Sequence, residues 1–235
     1  MRIIFLNSWF GTVGKPYFDF IENECSKTDI FCFMEVSPDL YSRLLPILKN
    51  FNVIYERGRL VGSPSIVCGQ AVFVKKGIGI VRRGKVSIYR QSIRDVGFMQ
   101  FAEVEIGKKK FWLGSVHGKT LPGDKLDTPV RLKQSEKIID FFANKEGPKI
   151  IGGDFNLKPD TVSVKMFEEG GYRNLIKDFN IMETRNHLSW EQFPDKEKQH
   201  FADYCFVSSE IKVNNFEVPN LEISDHEPLI LDFEI

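Results

Sequence analysis

The chain contains Ile150-Ile151-Gly152-Gly153-Asp154-Phe155-Asn156, and this stretch indicates its fold more clearly than any other. It has the pattern of a buried strand that ends in polar residues, where α/β proteins place functional side chains. The two glycines allow the backbone to turn tightly and to approach a ligand closely. Asp154 and Asn156 are two residues apart, so in an extended segment both side chains point to one side and could hold a water and a phosphate oxygen. An Asx turn between strand and loop is the alternative.

Five further segments also place a polar residue beside a hydrophobic strand. Glu35 is either a functional carboxylate or a surface residue at a strand-to-helix turn, since a buried carboxylate is costly unless it meets a cation. Asn7 taken alone could equally be a turn residue. Six such segments in one chain predict an assembled active site. The five contribute Asn7 after Ile3–Leu6, Glu35 after Asp29–Met34, His117 after Phe111–Val116, Asp203 before Tyr204–Val207, and the pair Asp225-His226 near the C-terminal end.

The pair Asp225-His226 raises the question of which carboxylate orients the histidine. Sequence neighbours on a strand point to opposite faces, so His226 needs a partner other than Asp225. Asp203, beside a strand of its own, is the natural candidate, because an Asp that holds a His fixes its tautomer and stabilises an imidazolium. An isolated Asp-His dipeptide is otherwise typical of a turn.

The charge composition names no class of partner. Lys and Arg total 32 and Asp and Glu total 32, so the formal net charge is zero. Balanced charge argues against tight binding along a long nucleic-acid duplex, which needs many contacts from Lys and Arg. Local basic groups occur at Lys75-Lys76, Arg82-Arg83 and Lys108–Lys110, where solvated turns of predicted hairpins are the simpler explanation.

The four cysteines and the N-terminus suggest a cellular location. Cys25, Cys32, Cys68 and Cys205 show no CxxC spacing, and three of them lie in apolar runs, so we expect buried free thiols in a reducing compartment. Met1 leads directly into an apolar strand without a signal-peptide pattern. No apolar run approaches the roughly 20 residues that span a bilayer. We therefore expect a cytoplasmic protein with one domain, residues 1–235. We expect it neither to associate with a membrane nor to need a protein partner.

The histidines argue against a zinc site. The chain has four, with no HxH or HExxH spacing, and the remaining candidate ligands are carboxylate and amide oxygens, which suit Mg²⁺ or Mn²⁺. A Walker A loop, GxGxxG and GxSxG are all absent from the sequence, which argues against NTPase, dinucleotide and serine-hydrolase functions.

The order of predicted elements indicates two packed sheets flanked by helices. Helices are predicted near Pro16, from Ser37 as N-cap, over about Thr128 to Ala143, and over roughly Asp160–Glu168. Between Phe51 and Val116 the strand patterns follow one another with Gly- and Lys-bearing turns, which predicts an antiparallel meander.

Taken in order, these segments resemble the endonuclease/exonuclease/phosphatase superfamily, the metal-dependent phosphoesterases related to deoxyribonuclease I and exonuclease III. The resemblance rests on Phe5-Leu6-Asn7, Phe33–Val36, Gly153–Asn156, Ala202–Tyr204 and Ser224–His226. It implies a four-layer α/β sandwich of two mixed sheets covered by helices. It also implies a metal at Glu35 and Asn7 with Asp225 near a metal position, Asp154 as base for the attacking water, Asn156 and His226 as phosphate ligands, and Asp203 as the residue that orients His226.

Four further residues concern the leaving group and the substrate. His117 matches the leaving-group acid of the deoxyribonuclease-like branch, but Gln70 stands where that branch carries a Glu, so His117 could simply bind phosphate. Arg131 either meets a phosphate or lies on a solvated helix face. Trp190 is either a platform for a base or a lid or core aromatic.

These observations predict hydrolysis of a phosphoester by in-line attack of water, without a covalent enzyme intermediate, because no Cys, Ser or Lys nucleophile lies beside a base. Nucleic acid or a nucleotide is the favoured substrate. The alternatives are a phosphatase or phosphodiesterase of small molecules or lipid headgroups, such as inositol phosphates, and a non-catalytic scaffold that binds phosphorylated ligands.

Overall fold

The computed structural model of the protein describes residues 1–58, 60–61, 66–90, 96–191 and 197–235, and residues 60 and 61 through their backbone alone. Two six-stranded mixed sheets form its centre. Sheet 1 has the order β13-β14-β1-β2-β6-β3, and sheet 2 has the order β11-β12-β10-β9-β8-β7. Strands β4 (Leu60–Val61) and β5 (Ile66–Val67) form a separate pair.

The strands of sheet 1 are β1 (Arg2–Asn7), β2 (Ile30–Val36), β3 (Phe51–Glu56), β6 (Gly69–Lys75), β13 (Lys212–Glu217) and β14 (Leu229–Glu234). Those of sheet 2 are β7 (Gly79–Ser87), β8 (Phe98–Ile106), β9 (Lys109–His117), β10 (Lys149–Asp154), β11 (Arg173–Asn174) and β12 (Asp203–Val207). The helices are α1 (Lys15–Glu24), α2 (Pro38–Ile47), α3 (Pro129–Ala143), α4 (Val162–Glu169) and α5 (Leu175–Asp178), with 3₁₀ turns at Trp9–Gly11 and His187–Ser189.

The predicted helix starts agree with the structure where a capping residue marks them. Ser37 accepts a hydrogen bond from the Leu40 amide, and Thr128 accepts one from the Arg131 amide. Each side-chain oxygen satisfies a donor that the first turn of a helix leaves open. The sequence identifies these helices because the cap and the apolar spacing agree.

The side chains of each strand alternate between two faces, and this alternation forms the layers of the fold. In β1, Ile4 and Leu6 belong to a core that includes residues of α1 and α2, whereas Ile3 and Phe5 belong to the core that joins the two sheets. Side chains of a strand alternate between the two faces, so this one strand supports two layers. The four-layer α/β sandwich that the resemblance implied is confirmed.

The predicted antiparallel meander is wrong in one respect. Its strands are present, but β3 and β6 lie in sheet 1, while β7, β8 and β9 lie in sheet 2. The chain therefore crosses between sheets in the short turn from Lys75 to Gly79. A period of two residues identifies a strand without saying which sheet it joins.

Both glycines before Asp154 lie inside β10 rather than in a turn. A Cβ on Gly152 would lie 2.7 Å from the Phe5 ring of sheet 1, and one on Gly153, whose φ is +126°, would lie 2.4 Å from the Val116 carbonyl oxygen. These positions require glycine because protein atoms approach closely, and the predicted ligand contact does not explain them.

Candidate active site

The predicted polar residues meet because of how the strands pair. Strand β10 runs parallel to β9 and antiparallel to β12, so the end of β10 lies beside the end of β9 and the start of β12. In this register Asp154 is directly opposite His117 on one side and Asp203 on the other. In sheet 1, β1 and β2 are parallel and bring Asn7 beside Met34, one residue before Glu35.

The Asp154 carboxylate is the centre of the site. Four side-chain nitrogens surround its Oδ2: Asn7 Nδ2 at 3.0 Å, Asn156 Nδ2 at 3.1 Å, His226 Nε2 at 3.8 Å and His117 Nε2 at 3.9 Å. The two histidine distances exceed a hydrogen bond, so a water or a phosphate oxygen could bridge them. Burial raises the pKa of Asp154, but cationic neighbours, His226 first among them, bring it below its usual value.

Asn156 reaches Asp154 through a left-handed turn. Its φ is +55°, and its backbone amide donates to Asp154 Oδ1 at 2.8 Å. The segment is therefore not extended, and the Asx-type turn that was the alternative interpretation is present. Both interpretations hold together, because the turn itself brings the Asn156 side chain to the carboxylate.

His226 is oriented by Asp203. The distance from His226 Nδ1 to Asp203 Oδ2 is 2.8 Å, and both side chains are buried. Burial lowers the pKa of His226, but the charges of Asp203, Asp225 and Asp154 raise it to about 9. As predicted, Asp225 is not the orienting carboxylate, because its Oδ2 lies 4.0 Å from His226 Nε2, beyond a hydrogen bond. The strand geometry assumed for the pair does not hold. Residues 224–226 precede β14 and form no strand with it.

Glu35 brings a second carboxylate to the site. It occupies an irregularity in the pairing of β2 with β6 and has a φ of +54°, a conformation that side chains other than glycine rarely adopt. Its Oε1 lies 3.6 Å from His117 Nε2. Burial raises the pKa of Glu35 to about 7, and the negative charges of Asp225 and Asp154 act in the same direction. The carboxylates here thus repel one another.

A metal ion is compatible with this group of side chains. Asp154, Asp203 and His226 each offer a ligand atom, and these atoms lie within 4.8 Å of one another. The like charges around Glu35 are a further attraction for a cation.

Sequence and structure comparisons identify the family. The model of the Endonuclease/Exonuclease/phosphatase family matches residues 6–226. The chain belongs to this family. Its members hydrolyse phosphoester bonds and depend on metal ions, so the protein is a hydrolase of phosphoesters. No curated protein matches the sequence.

Solved structures share the fold of this family member at low sequence identity. The mannosyl-6-phosphatase of Bacteroides thetaiotaomicron superposes with a TM-score of 0.73 at 17% identity, over 100% of each chain. The human Nocturnin catalytic domain gives 0.73 at 17% identity, over 100% of this chain and 93% of that one. A humanized D. rerio TDP2 gives 0.73 at 16% identity, over 100% and 99% of the two chains.

Gln70 lies in the packing between the two sheets. Its side-chain nitrogen donates to the Phe98 carbonyl at 2.9 Å, and its side chain is fully buried. The side-chain nitrogen of Gln100, in sheet 2, donates to the Ile54 carbonyl of sheet 1 at 3.1 Å, so the two glutamines bond across the sheets in opposite directions. Gln70 therefore joins the sheets, and its prediction as a substrate-binding residue is corrected.

Arg131 is neither on a solvated helix face nor directed at a phosphate site. Its side chain is fully buried at the start of α3. The guanidinium donates to the preceding loop, where its acceptors are the carbonyls of Lys119, Thr120, Pro122 and Leu126 and the carboxylate of Asp124. Its role in the structure is to hold the loop of residues 118–127.

Trp190 lies at the margin of the site. It is half-buried, with its ring centroid 5.1 Å from that of His200 and the Lys198 Nζ 5.9 Å above it. The preceding residue, Ser189, donates through its hydroxyl to the Asp225 carbonyl, which fixes Trp190 beside the active-site segment.

Two cationic residues were missed by the sequence analysis. Lys125, in the loop that Arg131 holds, donates from Nζ to Asn156 Oδ1. Arg185 pairs through its backbone with His226 and places a guanidinium nitrogen 3.6 Å from Asp225 Oδ2. Both lie in irregular segments without a motif, so the sequence carries no signal for them.

Proposed function

We propose that the protein is a Mg²⁺- or Mn²⁺-dependent phosphoesterase that cleaves by in-line attack of water. One observation supports this most: four side-chain nitrogens converge on the ionised Asp154 carboxylate. A base surrounded by donors can hold an attacking water and receive the oxygens of a phosphate in the same small volume.

Glu35, Asn7 and Asp225 are the residues that we propose hold the metal. The oxygen donors suit a hard divalent cation. Burial and the charges of Asp225 and Asp154 raise the pKa of Glu35, and a bound cation would favour its charged form. His226 is a poor ligand, because both nitrogens of an imidazolium carry protons and Nδ1 already faces Asp203. When bound, a divalent ion polarises a phosphate oxygen and neutralises developing charge.

Residue roles follow from the distances. We propose that Asp154 orients the water and takes its proton as the oxygen–phosphorus bond forms, while Asn156 and His226 bind non-bridging oxygens. Asp203 keeps His226 protonated and oriented. His117, 3.9 Å from Asp154 Oδ2, supplies a further donor to the phosphate or to the leaving oxygen as its bond to phosphorus breaks.

For the substrate we favour a nucleic-acid segment or a nucleotide. Trp190 beside the Asp225 segment offers a ring on which a base could stack. A small phosphorylated molecule is the second candidate, because Asp154, Asn156 and His226 are each at most 4% exposed, which favours a compact phosphate group. Within the described residues no helix has the length and apolar character to cross a membrane. We further propose one domain over residues 1–235 and a cytoplasmic location.

A substrate panel tests this proposal. Single- and double-stranded DNA, abasic DNA, RNA, cyclic nucleotides and inositol phosphates are compared at one Mg²⁺ concentration, with EDTA as the metal control. We expect turnover that EDTA abolishes and Mg²⁺ restores, and its loss in Asp154→Ala and His226→Ala with an unchanged fold. Activity in EDTA would refute the metal assignment. Cleavage of inositol phosphates together with no cleavage of any oligonucleotide would refute the proposed substrate class.

A further inference from the structure

Lys125 is a buried cation that the proposed chemistry leaves without a role. The residue is only 5% exposed, and its Nζ donates a hydrogen bond to Asn156 Oδ1. An ammonium has three donor hydrogens. In the part of the chain that the structure describes, this is the one side-chain hydrogen bond of Lys125, and no ion pair joins it to a carboxylate.

Burying an ammonium against a neutral amide is unfavourable. A buried charge is normally paired, because desolvation is costly and an amide oxygen returns only part of that cost. Lys125 also has a φ of +58°, a left-handed conformation that is strained for residues with a side chain. Two unfavourable features therefore coincide at one residue next to Asp154, and such coincidences are concentrated at functional sites.

Fastening the loop does not account for this ammonium. The backbone carbonyl of Lys125 already accepts a hydrogen bond from the Lys158 amide at 2.8 Å. The buried Arg131 guanidinium binds the carbonyls on both sides of Lys125 along the loop, among them those of Pro122 and Leu126. A neutral side chain at position 125 would be held equally well.

We propose that Lys125 binds the scissile phosphate directly, with its remaining ammonium hydrogens on a non-bridging oxygen. Asp154 and Asp203 attract this ammonium from a distance, and the phosphate then supplies the acceptor oxygens that its remaining hydrogens lack among the described residues. The contacts place it correctly: Lys125 touches Asn156, Asn156 Nδ2 lies 3.1 Å from Asp154 Oδ2, and His226 Nε2 lies 3.8 Å from the same oxygen. One phosphate against Asp154 can therefore meet all three donors. This inference rests on the proposed position of the phosphate.

The ligand class follows from these donors. An ammonium, a primary amide and an imidazolium around one small volume match a tetrahedral oxyanion with several acceptor oxygens. Phosphate esters and inorganic phosphate share this chemistry. Inorganic phosphate, the product of a phosphomonoester and an analogue of the scissile group of a diester, is therefore the probe.

The test measures phosphate binding separately from turnover. Wild-type protein, Lys125→Met, Lys125→Arg and Lys158→Met are titrated with inorganic phosphate by calorimetry, at saturating Mg²⁺ and again in EDTA. Lys158 is the matched control, because its ammonium pairs at the surface with Glu197. Melting temperatures with and without phosphate are recorded for each protein.

We expect Lys125→Met to bind phosphate about 10- to 100-fold more weakly, the loss typical of one charge-assisted hydrogen bond. Its melting temperature without phosphate should equal or exceed that of the wild type, since an unpaired buried charge has been removed. Lys125→Arg should recover part of the affinity, and Lys158→Met should match the wild type.

Two results would overturn the inference. One is equal phosphate affinity in the wild type and Lys125→Met, or no phosphate binding by the wild type. The other is a lower melting temperature of Lys125→Met with unchanged affinity, which would assign the ammonium a structural role. If instead Lys125 governs phosphate affinity but no phosphoester is hydrolysed, the proposed function fails and this inference stands.

Discussion

Asp203→Asn removes the charge that faces His226 while keeping the shape of the side chain. The wild-type contact is 2.8 Å long, and both side chains are at most 5% exposed, so solvent screens it little. Thr184 Oγ1 accepts from the Asp203 amide at 3.1 Å, which holds the backbone at this position independently of the carboxylate. The variant should therefore fold and change the electrostatics of the pair.

The expected magnitude comes from this one contact. A hydrogen bond to a charged group contributes about 1.5–3 kcal/mol, whereas a neutral one contributes about 0.5–1.5 kcal/mol. Replacing the first by the second lowers the unfolding free energy by about 1–2 kcal/mol. If the imidazolium binds the phosphate in the transition state, kcat/KM falls by a factor on the order of 10 to 100.

The pH dependence has a definite sign in the metal-free protein. The folded pKa of His226, about 9, lies above the ordinary value of 6.5. The protonated pair therefore stabilises the fold fully below pH 6.5, and this contribution is lost as the pH rises through 9. Asp203→Asn lowers the pKa of His226, so its stability deficit is largest near neutral pH and shrinks above pH 9. Burial raises the pKa of the Asp203 carboxyl, so the deficit also shrinks at acidic pH as the wild-type carboxylate becomes protonated.

Three measurements check this reasoning. NMR titration of the His226 ring in EDTA gives its pKa, urea denaturation across the same pH range gives stability, and hydrolysis of bis-p-nitrophenyl phosphate with Mn²⁺ gives kcat/KM. Asp178→Asn, which breaks an ion pair with Arg173 near the surface, is the control and should change stability by about 0–1 kcal/mol. An unchanged His226 pKa, or a wild-type rate in Asp203→Asn, would refute the assigned role of the pair.

Three further variants test the metal site, the loop and the sheet packing. Glu35→Gln should raise the Mg²⁺ concentration for half-maximal activity, and an unchanged metal titration would contradict its assignment as a ligand. Arg131→Met removes the donors to four loop carbonyls, so urea denaturation should show a loss of about 1–3 kcal/mol; an unchanged unfolding free energy would contradict this role. Gly152→Ala places a methyl group 2.7 Å from the Phe5 ring and should cost about 1–3 kcal/mol in thermal unfolding. Gly123→Ala, which meets nothing within 4 Å, should not, and equal effects would refute the packing argument.

Much of the fold was predictable because local signals agree with tertiary contacts. Ser37 and Thr128 mark helix starts through their own side chains, and the apolar runs of β1, β2 and β10 are buried as their composition predicts. The predicted meander was wrong about the sheets, because the turn between Lys75 and Gly79 joins a strand of sheet 1 to a strand of sheet 2. The local sequence shows where a strand begins and ends but not which strand it pairs with.

Site residues at the ends of strands could be predicted from the sequence, whereas those contributed by loops could not. Asp154 and Asp203 meet because their strands pair in register, and a polar residue after an apolar run signals this position. Lys125 and Arg185 reach the site from irregular segments, in which no periodicity relates a residue to its neighbours in space. Their contributions depend on backbone angles that the sequence does not display.

Arg131 and Lys125 are two cations of one loop that make different kinds of contact. The sequence suggested only Arg131 as a phosphate contact, with a solvated helix face as the alternative, and no motif singled out Lys125 six positions before it. Arg131 presents a planar fork with five donors, which suits several carbonyls of one loop at once, whereas an ammonium is a compact charge. The guanidinium therefore organises the loop, and the organised loop directs the smaller cation to Asn156. Exchanging the two residues would remove both functions, because a lysine cannot bind the loop carbonyls in the same geometry.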